Sequence, residues 1–111
     1  MRTHLHKIVI GLACALALCA CTASMLAPTV VDEGYAKQKW EDATMEQLNE
    51  GYHLYVNKCA GCHHLHNPKD YTEEKWRKEM PEMGKRAYLS LADQDKILRY
   101  ILTKKESLTQ K

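Results

Sequence analysis

One pentapeptide constrains this chain more than any other feature: Cys59-Ala60-Gly61-Cys62-His63. Two cysteines three positions apart, with a histidine directly behind them, suit three chemistries. They can form a redox dithiol, supply half of a tetrahedral zinc site, or bond covalently to a haem. The third has a simple geometric basis. Thiols at this spacing can add to the two vinyl groups along one porphyrin edge, which brings the next residue under the iron as proximal ligand. His64 and His66 follow closely. They could complete a zinc site instead, but are expected to be exposed rather than ligating.

The N-terminus bears on the choice, because it indicates the compartment. Arg2 and Lys7 introduce an unbroken apolar run of 13 residues, Ile8 to Ala20. A membrane-spanning helix needs roughly 20, so the run reads as the core of a signal peptide; an uncleaved short membrane helix is the alternative. Leu18-Cys19-Ala20-Cys21 resembles the bacterial lipoprotein box, in which an aliphatic residue and small residues precede the lipidated cysteine. Cys21 is the expected lipidation site, since Leu18 is too large to stand directly before a lipidated Cys19. Ordinary signal cleavage is the alternative. Residues 1–20 are then a lipoprotein signal peptide. They carry Arg2 and Lys7 but no acid, so 16 basic and 14 acidic residues become 14 of each in the mature chain. Nothing in that neutral balance suggests a nucleic-acid partner.

Cysteine usage closes without a disulfide. Cys14 and Cys19 leave with the signal, Cys21 takes the lipid, and Cys59 and Cys62 remain for the cofactor. Export to an oxidising compartment, the following histidine and helical sequence on either side favour one covalent haem c over zinc or a dithiol. The second ring nitrogen of His63 would donate to a backbone carbonyl, for which Pro68 is the candidate.

Residues 21–43 read as a tether, with Pro28 and Gly34 as breakers. As flexible coil, about 20 residues reach on the order of 25 Å. Trp40 is the one residue in it expected to dock. Residues 44–111 read as a small all-α domain of three helices. Thr44 and Gln47 form a capping box, and Leu48, Gly51, Tyr52, Tyr55 and Val56 fall on one helical face. A second helix is expected from Asp70 or Thr72 through Trp76. It should stop or kink near Met80, because the Pro81 ring clashes with the preceding turn. A third starts at Ser90 and carries the stripe Ile97, Tyr100, Ile101 and Leu102. The chain has no Phe, and three short helices bury little. Small scaffolds of this kind need a staple, which a haem held by two thioethers would supply.

The stretch 44–103 resembles the monohaem class I cytochrome c family in a short bacterial form. The segment from Gly51 and Tyr52 to Cys59 is similar to the glycine and aromatic that precede the family's haem motif. Pro68, Tyr71, Thr72, Trp76 and Met83 are similar to a subgroup of short bacterial haem domains. The resemblance implies a cytochrome c fold wrapped around the haem, with Gly51 letting the first helix cross the last against Tyr100. It places Pro68 and Trp76 at the haem and makes His63 and Met83 the axial ligands of the iron. Met80 is the competing ligand, and Met45 lies too early. Plain core packing is open to either candidate methionine. Only 20 residues separate His63 from Met83, fewer than in longer members, so a propionate edge is expected to be exposed.

Single-electron transfer is the function these expectations imply. Iron held by histidine and methionine has no open position for catalysis, so the chain is not expected to be an enzyme. The soft methionine sulfur favours reduced iron. The alternative is a haem-based NO or CO sensor, in which the methionine is displaced. A peroxidase would need His64 or His66 as a distal acid-base group. The expected partners are redox proteins of the cell envelope and, through the lipid, a bacterial membrane on its periplasmic face. Thr22 after Cys21, in place of aspartate, tilts that expectation toward the outer membrane.

Overall fold

A computed structural model of the chain describes residues 26–61 and 64–110. All regular structure among these residues is helical. Among the described residues there are four such α-helices where three were expected: α1 Val30–Lys39, α2 Met45–Leu54, α3 Glu73–Arg86 and α4 Leu91–Thr109. A π-helical turn, Tyr55–Cys59, extends α2, and a 3-10 turn, Pro68–Asp70, precedes α3.

Local chemistry sets most of the boundaries. Thr44 accepts from Gln47 N at 3.2 Å while Gln47 Oε1 accepts from Thr44 N at 3.2 Å, the reciprocal box expected there. Thr72 caps α3 through Lys75 N, and Ser90 caps α4 through Asp93 N. The far end of α3 closes with a Schellman motif: Tyr88 N donates to Lys85 O and Leu89 N to Gly84 O. Tyr88 occupies the left-handed position of that motif, at φ 56°.

The helix α1 corrects the expectation of a tether through residue 43. It docks along α4 and buries Asp32 and Ala36. Thr29 caps it, donating its N–H to Asp32 Oδ2 at 2.7 Å. Gly34, taken for a breaker, sits inside the helix, and Pro28 lies just ahead of the cap. Trp40 docks as expected, against both hydrophobic clusters of the molecule.

The second correction concerns Pro81. It lies inside α3, which runs unbroken from Glu73 to Arg86. Pro81 is exposed, so its ring meets no neighbouring element. The Arg77 carbonyl, deprived of its usual donor, belongs to an exposed residue and can be hydrated.

Glycine decides where α2 meets α4. A Cβ on Gly51 would stand 2.3 Å from Lys96 O and 2.9 Å from Tyr100 Cβ. That is the close crossing expected of it. The main core then forms from Tyr55, Trp76, Met80, Ile97, Tyr100, Ile101 and Leu102, contributed by the π-helical turn, α3 and α4. A smaller cluster of Ala36, Ala43 and Leu48 joins α1 to α2.

Candidate functional site

The main core borders a narrow apolar cleft with a cavity volume of about 10 Å³. Cys59, at the end of the π-helical turn, forms one wall. Trp76, Met80, Met83 and Gly84 of α3 form another, and Leu89 and Ile101 close it. The continuity of α3 is what aligns its side chains. Trp76, Met80, Met83 and Gly84 lie at i, i+4, i+7 and i+8, one face of a helix. Met83 is therefore presented from a helix that continues past Pro81. The space beside Gly84 is filled by Gln94, whose Cδ would lie 2.3 Å from an added Cβ, so Gly84 serves helix packing.

The two methionines have different surroundings. Met80 is buried in the main core. Met83 is half-buried at the cleft mouth. It also borders two outer hollows, one shared with Cys59, Lys58 and Arg86 and the other with His66, Tyr71 and Lys75. Cleft and hollows meet at Met83.

The loop after the cysteine motif is pinned at two carbonyls. The Tyr55 hydroxyl donates to His66 O, and Trp76 Nε1 donates to Pro68 O at 2.9 Å. Burial above all, and then the Asp70 carboxylate, pushes the Tyr55 phenol well above its ordinary range. It is a donor at neutral pH. Asn67 caps the 3-10 turn through Lys69 N. His66 is half-buried and packs edge-on against Tyr71 at 4.9 Å, contrary to the exposure expected of it; His64 is exposed. The Pro68 carbonyl, expected to receive a proton from His63, receives one from Trp76. A carbonyl oxygen has two lone pairs, so a second donor is still accommodated.

Of the expected site residues, the structure brings Cys59, Trp76 and Met83 around one cleft, with Pro68 tied to Trp76 behind it. Cys62, His63 and Cys21 lie outside the described residues. Leu89 is a lining residue that sequence reasoning passed over. Its signal was available: an apolar residue two places past a helix C-cap commonly folds back on the last turn. No described helix is long and apolar enough to cross a membrane. No protein-family model, curated protein or solved structure matches the chain.

The chemistry of the lining side chains, a motif cysteine and a methionine in an apolar surround, suits a haem. The inner cleft is lined largely by apolar side chains. The outer hollow past Cys59 and Met83 is lined by Lys58 and Arg86 and equally by Glu79 and Glu82, with Arg86 paired to Glu82 at 3.0 Å.

Proposed function

We propose that this chain is an exported c-type cytochrome that moves single electrons, with a class I-type fold and one haem c held at Cys59 and Cys62. The observation that carries the reading is the apolar cleft that has Cys59 on one wall and Met83 on the facing helix. A haem bound there would supply a reversible one-electron couple. Cys59 and Cys62 would hold its edge, His63 would ligate the iron from the motif side, and Met83 would ligate it from α3. Trp76, Met80, Leu89 and Ile101 exclude water from the cleft. Two donors fix the loop behind the motif, which limits reorganisation around the site. Soft sulfur ligation favours reduced iron and leaves no open position, in keeping with transfer to envelope redox proteins rather than catalysis.

The test is made on mature protein. One haem per chain should resist extraction by acidified acetone, and the oxidised form should show the weak near-infrared band of sulfur-ligated iron. Met83→Ala should abolish that band and admit CO. Met80→Ala should retain it while losing about 2–5 kcal/mol of stability, as expected for a buried methionine truncated to alanine. Extractable haem, or none, refutes the proposal. Loss of the band only in Met80→Ala reverses the ligand assignment, and ready CO binding by the unaltered protein supports a sensor instead.

A further inference from the structure

We propose that Trp76, Tyr71 and His66 form a relay that carries a strong oxidising equivalent out of the cleft and holds it near the surface as a neutral Tyr71 radical, an inference that rests on the haem reading of the cleft. Trp76 is the partition between inside and outside. It is 2% exposed, and it lines both the cleft and the outer hollow that holds Tyr71, His66, Lys75 and Glu79. Tyr71 is half-buried and meets the Trp76 ring edge-on, with centroids 5.3 Å apart. The His66 ring in turn lies 4.9 Å from that of Tyr71.

Proton acceptors decide where the equivalent stops. Trp76 Nε1 donates to the Pro68 carbonyl, which is not a base. An oxidised Trp76 therefore keeps its proton, and with it the positive charge that makes it a strong oxidant. Tyr55 and Tyr100 extend the aromatic chain the other way, Tyr55 at 6.3 Å from Trp76 and Tyr100 at 5.8 Å from Tyr55. Their hydroxyls also donate to carbonyls, those of His66 and Leu26, and burial pushes both phenols up. A phenol gives up an electron readily only when its proton leaves too, so that branch is closed. Tyr71 differs. Its hydroxyl lies 3.3 Å from His66 Nδ1 and 3.4 Å from Nε2, so an unprotonated ring nitrogen is within reach in either neutral tautomer. Lys75 Nζ stands 4.0 Å over the Tyr71 ring. A cation there opposes positive charge on the phenol, which ties loss of the electron to loss of the proton. Glu79 in the same hollow offsets the charge that His66 gains. The oxidant is hydrogen peroxide, reaching reduced haem in place of the methionine sulfur. It takes two electrons and two solvent protons and leaves as two waters. One electron comes from the iron, which becomes ferric. Trp76 gives the other and is refilled from Tyr71, whose phenolic proton passes to His66.

The experiment mixes the reduced mature holoprotein with one equivalent of hydrogen peroxide and freezes it rapidly. Electron paramagnetic resonance identifies the radical, with ring-deuterated tyrosine marking tyrosyl signals. The unaltered protein should show a tyrosyl radical. Tyr71→Phe should abolish it and leave a tryptophan radical. His66→Gln should lower the tyrosyl yield several-fold and raise the tryptophan signal. Both side chains are half-buried, and an unchanged haem spectrum before peroxide is added checks that the variants fold. A tyrosyl signal of undiminished yield in Tyr71→Phe places the radical elsewhere and overturns the proposal. Undiminished yield in His66→Gln overturns it as well. Covalent haem that peroxide leaves reduced, or oxidises without any protein radical, overturns this proposal alone. A mature protein without haem refutes the cofactor and this proposal together.

Discussion

Asp32 and Lys104 hold the N-terminal helix in place, with side chains only 3% and 6% exposed and 3.0 Å apart. Burial by itself raises the Asp32 carboxyl. Hydrogen bonds from Ser107, Lys104 and Thr29 outweigh it and hold the group below 3.8. Asp32 Oδ1 has no fixed partner, but the Ser107 hydroxyl, which donates to Lys104 O at 3.2 Å, can rotate onto it. A carboxyl that is more acidic folded than unfolded contributes stability above its unfolded value of about 3.9. That contribution is lost as pH falls through the folded value. Acid titration followed by amide exchange should therefore release α1 only below about pH 4. Asp32→Ala leaves a buried ammonium without its counter-charge and should lose about 3–5 kcal/mol in denaturant melts. Adding Lys104→Met should recover much of it.

Two of the helical glycines, Gly51 and Gly34, make opposite predictions at the level of elements. Gly51→Ala drives a Cβ into the backbone of Lys96, so α2 and α4 must separate; about 1–3 kcal/mol should be lost. An added Cβ on Gly34 meets nothing within 4 Å, so Gly34→Ala should stabilise α1 by about 0.5–1 kcal/mol. Thermal or denaturant unfolding of the two variants checks both signs. The turn between α3 and α4 offers a further gain. Tyr88 holds a left-handed backbone with its side chain 97% exposed, so Tyr88→Gly removes strain without removing packing. A gain of about 1 kcal/mol is expected. A loss in the same unfolding measurement would mean that the tyrosine ring packs after all.

The whole molecule has a thin core, divided between a cluster around Tyr100 and a smaller one under α1. The larger cluster opens directly into the cleft at Cys59. On the proposed function, the haem completes that cluster, as staples do in scaffolds of this size. Cys59→Ala with Cys62→Ala should therefore cost the chain its cooperative thermal transition as well as its colour. Circular dichroism during heating checks this. A sharp transition in the double variant would show that the four helices are self-sufficient.

Local chemistry made much of this fold legible in the sequence. The caps at Thr44, Thr72 and Ser90 and the apolar face from Leu48 to Tyr55 follow from residues within a few positions of one another. The close approach at Gly51 was legible through family resemblance, and the structure brings Cys59, Trp76 and Met83 to one cleft. The tertiary structure decided the rest. The buried side of α1 is an aspartate and an alanine, and hydrophobic periodicity cannot register a face whose main contact is a charge with its partner 72 residues away. Pro81 stays inside a helix because that side of α3 faces solvent, a fact of packing rather than of backbone preference. The same continuity turns Met83 toward the cleft on the face that buries Met80, which no local rule about proline could supply.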